Sequence, residues 1–166
     1  FQRKIKKLNF NNIFYPTDTS RLLINSCTKH LKNNQNILDL GCGGGVVSYF
    51  LYKQKLKQNF FLSDLDQLAV NKAKKNLSKK KIKANFLVGS LFNPWKDKKF
   101  DIIVNDVSGV SSEIARISHW FKNASTDNTK GGIYFLKKII SQSKNYLSKK
   151  NSLIFIPIIS LSNVKE

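Results

Sequence analysis

The stretch Asn36 to Val47 reads N-I-L-D-L-G-C-G-G-G-V-V and decides the fold. Its apolar residues before Gly41 predict a short parallel strand that is buried on both faces. The glycines at Gly41 and at Gly43 to Gly45 allow positive φ angles and leave no side chain between the main chain and a ligand. Val46 to Tyr52 is predicted to begin a helix whose N-terminal amides face that loop. The unit is therefore typical of a site where a polar, nucleoside-bearing cofactor touches backbone.

Two nucleotide-binding interpretations compete for this loop, besides a plain strand-to-helix turn. The dinucleotide fingerprint G-x-G-x-x-G needs a third glycine where this chain has Val46, and it has no place for Asp39. The pattern D-x-G-x-G-x-G from Asp39 to Gly45 instead resembles motif I of the class I S-adenosylmethionine-dependent methyltransferases. The loop favours the methyltransferase interpretation.

The next predicted strand ends on a carboxylate. An apolar run, Phe60 to Leu62, leads to Asp64 about 20 residues after the glycines, where a carboxylate can bind both ribose hydroxyls. Asp64 alone does not separate the two cofactor classes. The segment Asp64 to Asn76, D-L-D-Q-L-A-V-N-K-A-K-K-N, resembles the methyltransferase helix that follows this position. Asp66 is predicted to be the N-cap of that helix.

The resemblance continues into the third and fourth strands. Asn85 to Leu91, N-F-L-V-G-S-L, resembles the third strand and its loop, with Ser90 where the family commonly has an acidic residue near the adenine amine. Phe100 to Gly109, F-D-I-I-V-N-D-V-S-G, resembles the fourth strand and the catalytic tetrapeptide. In the nitrogen methyltransferases that tetrapeptide is Asn or Asp, Pro, Pro and an aromatic. Here only the first position, Asp106, is kept.

Two flanking segments narrow the resemblance. Tyr15 to Leu23, Y-P-T-D-T-S-R-L-L, and Gly131 to Ile140, G-G-I-Y-F-L-K-K-I-I, are similar to segments of the release-factor glutamine methyltransferases and of their small-domain relatives acting on RNA. The likeness therefore covers roughly Tyr15 to Ile159.

This resemblance implies S-adenosylmethionine as cofactor and S-adenosylhomocysteine as product. Asp106 would accept a hydrogen bond from the target amine, and the carbonyl of Val107 would accept a second one. An alternative for Asp106 is a cap of a helix that starts near Ser111. The implied cofactor-binding residues are Asp39, Gly41, Cys42, Gly43, Gly45, Asp64, Leu65, Ser90, Leu91 and Asp106.

The alternation of elements predicts one α/β domain, Rossmann-like and doubly wound, with a mostly parallel sheet and an N-terminal extension over residues 1–16. Strands are predicted near 36–40, 60–64, 84–88, 100–105 and 152–159, and helices near 17–32, 46–56, 66–80, 111–122 and 131–148. The lengthiest loops are predicted at 57–59, 91–99 and 123–132.

The predicted sheet lacks the sixth and seventh strands that the family has, so we expect a C-terminally incomplete fold. The strand at 152–159 would then be an exposed sheet edge, unless a partner or a second copy covers it.

The charge is strongly positive. A net charge of +19 and a pI near 10.0 predict attraction to RNA or to acidic proteins. Nearly all of it is lysine, in a chain rich in Asn, Ile and Phe, a mixture that AT-rich coding produces by drift. The lysine cluster at 72–83 is interpreted as a solvated helix face.

Other chemistries find little support. Cys27 and Cys42 lack zinc-ligand spacing and cannot make a disulfide framework, which favours a reducing, cytoplasmic compartment. His30 and His119 have no neighbours arranged as a triad or as a metal site. The most apolar run, Leu153 to Leu161, is far shorter than the roughly 20 residues that span a bilayer. We therefore expect no metal and no membrane partner.

Three hypotheses of function remain open. The first is a methyltransferase acting on a nitrogen of a macromolecule, either a protein glutamine or an RNA base. The second is a small-molecule methyltransferase of the same fold. The third is a noncatalytic binding module that keeps the cofactor fold, which the altered tetrapeptide favours.

Overall fold

The computed structural model describes residues 1–107, 110–118 and 132–158 and has a five-stranded, all-parallel sheet in the order β3-β2-β1-β4-β5. The strands are β1 Gln35–Leu40, β2 Gln58–Asp64, β3 Ala84–Val88, β4 Ile102–Asn105 and β5 Leu153–Phe155. The helices are α1 Gln2–Ile5, α2 Asp18–Thr28, α3 Val46–Tyr52, α4 Gln67–Ser78, α5 Ser112–Ile117 and α6 Tyr134–Ser143, with a 3₁₀ turn at Asn93–Trp95. The predicted Rossmann-like α/β class is confirmed.

The strand order reverses between β1 and β4. The chain builds outward from β1 through β2 to β3, then returns to pair β4 with the other side of β1. Such a reversal leaves a crevice at the carboxyl ends of the strands, because the connections leave in opposite directions there. This crevice is where the site described below lies.

The sheet is covered on both faces because successive strand residues point to opposite sides. On β1, Ile37 belongs to the core packed under α2, α3 and α4, while Leu38 and Leu40 belong to a second core with the 3₁₀ turn and α6. Both faces of β1 and β4 are therefore buried, and Asp39 points to the same face as Ile37.

The N-terminal segment is part of the core rather than an appendage to it. Ile5, Leu8, Phe10 and Ile13 are all buried in the larger cluster. Asn9 and Asn76 exchange two hydrogen bonds of 2.8 and 3.0 Å, which tie this segment to α4. The predicted N-terminal extension thus stabilises the domain.

Several predicted boundaries shift. The loop predicted at 57–59 is mostly strand, since β2 begins at Gln58, and the loop at 91–99 contains the 3₁₀ turn with Trp95 buried. Residues of the predicted helix 111–122 beyond Ser118, His119 among them, lie outside the described residues, as does most of the loop at 123–132. Within the described chain, β5 pairs with β4 alone and forms one edge of the sheet. None of the helices formed by the described residues is long and apolar enough to cross a membrane.

Candidate cofactor and active site

A cleft of about 890 Å³, partly open to solvent, lies at the carboxyl ends of β1 to β4. Eight of the residues predicted for the site line it: Gly41, Gly43, Asp64, Leu65, Ser90, Leu91, Asp106 and Val107. The structure therefore brings residues from four separate loops into one cavity. Asp39, Cys42 and Gly45 do not line the cleft, and all three are buried beneath or behind the glycine loop.

The glycine loop is anchored to the neighbouring strand by its own backbone. The amides of Gly41 and Cys42 both donate to the carbonyl oxygen of Ser63, at 2.8 and 2.9 Å. Gly43 has a φ of +50°, and a Cβ at this position would have no heavy atom of the described residues within 4 Å apart from its chain neighbours. The main chain at Gly43 is thus open to the cleft, as close approach of a ligand to backbone requires.

Asp64 is held in place by two backbone amides. Gly43 donates to Oδ2 at 2.9 Å and Asp66 donates to Oδ1 at 3.0 Å. Burial raises the pKa of Asp64 above its usual value, and these amide donors oppose that rise. A carboxylate oxygen can accept more than one hydrogen bond, so acceptor capacity remains for a ligand. Asp66 accepts from the amide of Leu68 at 2.8 Å, which confirms its prediction as the N-cap of α4.

Asp39 lies under the loop with 1 % of its surface exposed. Its Oδ2 accepts from the amide and the hydroxyl of Ser48 in α3, at 3.1 and 2.7 Å, whereas its Oδ1 has no hydrogen-bond partner among the residues that the structure describes. Burial raises the pKa of Asp39 to about 7. The hydrogen bonds from Ser48 lower this pKa, while the nearby carboxylates of Asp106 and Asp64 raise it further. Asp39 is therefore a buried acceptor with one free oxygen.

Asp106 directly follows β4 and accepts a 2.5 Å hydrogen bond from the hydroxyl of Ser20 in α2. Burial raises its pKa to about 6, and the Ser20 hydroxyl opposes that rise. The alternative role of Asp106 as a helix cap is wrong, because Ser111 caps α5 by accepting from the amide of Ile114 at 3.4 Å. The last two tetrapeptide positions, 108 and 109, lie outside the described residues.

The cleft also contains residues that were not predicted for the site. Two phenylalanines face it, Phe14 from the segment before α2 and Phe135 from the first turn of α6. The position of Phe135 follows from topology, since a helix between parallel strands β4 and β5 begins at the carboxyl edge of the sheet. Nothing in the local sequence marks Phe14. The other unpredicted lining residues are Ile13, Leu40, Ser63, Asp66, Ala69 and Gly89.

The charge in the cleft opposes that of the chain. Asp64, Asp66 and Asp106 line it, and none of the described lining residues is Lys or Arg in a chain of net charge +19. Such a cavity favours a ligand that carries positive charge or N–H donors. The described residues contain no group of three or more His, Cys, Asp or Glu side chains arranged to bind a metal.

Sequence comparisons place this arrangement among known proteins. Residues 17–132 match the model of the methyltransferase small domain. The release factor glutamine methyltransferase of Thermodesulfovibrio yellowstonii is 33% identical over 137 residues, which cover 78% of this chain and 49% of that protein. The ribosomal RNA small subunit methyltransferase C of Haemophilus ducreyi is 32% identical over 87 residues, which cover 52% of this chain and 26% of that protein. The chain spans about half or less of the length of these curated relatives.

A solved structure shows the same fold. The 16S rRNA N2 methyltransferase of T. thermophilus, in complex with AdoMet and guanosine, superposes with a TM-score of 0.60 at 18% identity. The superposition covers 81% of this chain and 33% of that one.

Proposed function

Because this chain belongs to the methyltransferase small-domain family, we propose that it transfers a methyl group from S-adenosylmethionine to a nitrogen atom of an RNA or a protein. One observation carries the proposal. Three features line one cleft, although each lies at the end of a different strand: the open glycine loop, the carboxylate Asp64 at the position that suits ribose binding, and the partly buried Asp106. This combination supports a cofactor and an acceptor that meet at the carboxyl edge of the sheet.

The residues fit the cofactor in three respects. Gly43 presents bare main chain to the cleft. The Oδ1 of buried Asp39, which no described residue hydrogen-bonds, is an acceptor that suits an ammonium group in the loop above it. The cleft suits a cation, because carboxylates line it and none of the described lining residues is Lys or Arg. S-adenosylmethionine is such a ligand, since it carries a positively charged sulfonium whose methyl group is readily transferred.

We assign roles to the remaining site residues on this basis. Asp64 accepts from the ribose hydroxyls, Leu65 and Leu91 cover the two faces of the adenine, and Ser90 lies near its amine. The backbone of Gly41 to Gly45, with small Cys42 behind it, holds the methionine end.

Asp106 accepts a hydrogen bond from one N–H of the methyl acceptor, and the Val107 carbonyl accepts a hydrogen bond from the other N–H. Together they keep the nitrogen lone pair directed at the methyl group. The phenylalanine rings of Phe14 and Phe135 provide apolar faces for a planar acceptor on this side of the cleft.

The acceptor class rests on charge and on the relatives. The net charge of +19 suits RNA, and the named relatives are methyltransferases of ribosomal RNA and of a release factor glutamine. The two buried free cysteines support a cytoplasmic setting. A partner or a second copy at the β5 edge of the sheet stays a prediction.

Calorimetry with S-adenosylmethionine and S-adenosylhomocysteine tests the proposal, followed by transfer of a tritiated methyl group to unmethylated ribosomal RNA and to recombinant release factor. We expect both cofactor forms to bind. We expect Asp106→Ala to keep cofactor affinity within a few-fold and to lower transfer by about 10³-fold, because the acceptor loses the side-chain oxygen that accepts from its N–H. A chain that binds neither cofactor form contradicts the proposal and favours a noncatalytic module, the alternative that the altered residues after Asp106 suggest.

A further inference from the structure

Ser20 connects the start of α2 to the end of β4, 86 residues later. Its side chain has 0 % exposure, and its hydroxyl donates to Asp106 Oδ2. The same Oγ accepts from the backbone amide of Thr17 at 3.3 Å. Because the amide supplies a proton to Oγ, the single hydroxyl proton of Ser20 is free to point at the carboxylate.

A purely local role does not account for both contacts. A polar residue in the first turn of a helix needs only the Thr17 amide to complete its part of a capping box. The second contact reaches a different element and ends on a carboxylate that lines the cleft. Helix α2 is itself fixed by Leu23, Ile24 and Cys27 in the core, so the hydroxyl is presented from a rigid support.

The other charged groups around Asp106 do not help it to ionise. Asp39 on the adjacent strand is a carboxylate that interacts unfavourably with it, and Asp64 and Asp66 line the same cleft. The neutral thiol of Cys42 lies behind the loop. On α2, Arg21 pairs with Asp18 at 3.3 Å on the exposed side. Within the described residues, the Ser20 hydroxyl is thus the group that favours the charged form of Asp106.

We propose that Ser20 is a positioning residue for methyl transfer: it holds one oxygen of Asp106 so that the other oxygen faces the cleft as an acceptor. The role rests on the proposed function, since it matters for catalysis only if Asp106 contacts the methyl acceptor. It makes the start of α2 part of the reaction centre, although Ser20 itself does not line the cleft.

Titration of the aspartate side-chain carboxyl carbons by NMR, on the ligand-free chain labelled with ¹³C-aspartate, tests the contact directly. The Asp106 signal is identified by its loss in Asp106→Asn. We expect Ser20→Ala to raise the midpoint of the Asp106 titration, because a donor to the charged form is removed. Ser20→Thr keeps a hydroxyl, so its Asp106 midpoint should lie close to that of the unsubstituted chain. Ser78→Ala, at the exposed end of α4, is the matched serine control.

A kinetic readout separates positioning from a general loss of stability. If the midpoint rises by about one pH unit, turnover of Ser20→Ala falls about fivefold at pH 6 and less than about twofold at pH 8, with cofactor affinity unchanged. If Ser20→Ala does not fold, Ser20→Cys fills the site with a weaker donor and should give a smaller shift in the same direction.

An Asp106 midpoint that is the same in Ser20→Ala and in the unsubstituted chain overturns the inference, and so does a loss of turnover that is equal at both pH values. The NMR titration needs neither cofactor nor acceptor. Failure of the proposed function, seen as absence of cofactor binding by calorimetry, is therefore distinguishable from failure of this contact.

Discussion

The two sides of the cleft are built in different ways. What we call the cofactor side comprises Gly41, Gly43, Asp64, Asp66 and Ser90, and what we call the acceptor side comprises Asp106, Val107 and Phe135. On the cofactor side, short hydrogen bonds from backbone amides fix the loop and its carboxylate. On the acceptor side, position depends on side chains from remote elements, such as Ser20. The cofactor side is thus fixed by backbone amides of the adjacent strand ends of β1 and β2, and the acceptor side by a side chain from a helix.

Gly41 is where the two sides touch. It has a φ of +73°, and a Cβ there would lie 2.3 Å from Cγ2 of Val107. Gly43 also has a positive φ, but no described side chain lies against the position of its Cβ. Substituting alanine at each position therefore separates two losses of stability: one from the clash between the two sides at Gly41, and one from the positive φ that both glycines share.

We expect Gly41→Ala to lower the free energy of unfolding by about 3 kcal/mol, since strain at positive φ adds to a clash with a packed side chain. Gly43→Ala should cost about 1 kcal/mol in stability but weaken S-adenosylmethionine binding by about tenfold, because its methyl group enters the cofactor space. Urea denaturation and calorimetry measure the two effects.

The double variant Gly41→Ala with Val107→Ala sharpens this comparison. Removing the Val107 methyl groups should recover part of the stability lost in Gly41→Ala, because the clash is with that side chain. Equal loss of stability in Gly41→Ala and Gly43→Ala would show that the two sides of the cleft are not packed against each other at this point.

The buried carboxylates give each side its own pH dependence. Burial raises the pKa of Asp39 to about 7 and that of Asp106 to about 6, both above the unfolded value near 3.9. A raised acid pKa contributes stability that is fully present below about pH 4 and is lost as pH rises through the folded pKa. The free energy of unfolding should therefore fall between about pH 4 and pH 8.

Asp39→Asn should flatten this dependence. The amide oxygen keeps the hydrogen bonds from Ser48, and the charged form no longer has to be buried. At pH 8 we expect the variant to be more stable by about 2 kcal/mol, with little gain at pH 4. Asp106→Asn is the matched variant on the acceptor side and should show the smaller gain, since its pKa is raised less. Gains independent of pH would contradict this account.

The comparison also explains what the sequence could predict. The glycine pattern, the carboxylate Asp64 and the N-cap Asp66 are local features whose chemistry fixes their conformation, and they identified the family and the fold. The confirmed strand β1 follows from a short buried apolar run. The predicted boundaries differ from the observed ones at Gln58, which pairs with Gln35 of β1, and near Trp95, where burial of the ring overrode the polar sequence around it.

The rest of the candidate site depends on contacts between residues distant in sequence. Neither the burial of Ile5, Leu8, Phe10 and Ile13 nor the hydrogen bond from Ser20 to Asp106 has a signature in a short window of sequence. The role of Gly132 likewise depends on a contact with residues distant in sequence. A Cβ at this position would lie 2.4 Å from the backbone nitrogen of Ser111, so the glycine lets the start of α6 approach the segment after Asp106.

This close approach positions the first turn of α6, which carries Phe135 of the acceptor side. Substitution of Phe135 has the smallest effect that we predict. Its ring lines the cleft that also contains Asp106, and it is only partly buried. Phe135→Leu keeps an apolar side chain but removes the aromatic face, so stability should change by less than about 1 kcal/mol.

If the ring packs on a planar acceptor, Phe135→Leu should lower the affinity of guanosine or adenosine for the S-adenosylhomocysteine complex by about fivefold, a typical value of about 1 kcal/mol for an aromatic pair. Phe135→Tyr should bind like the unsubstituted chain, and cofactor affinity should be the same in all three. Saturation-transfer NMR on the nucleoside protons measures this. A loss of cofactor affinity in Phe135→Leu would instead assign the ring to the cofactor side, and unchanged nucleoside binding would leave Asp106 and Val107 to position the acceptor without it.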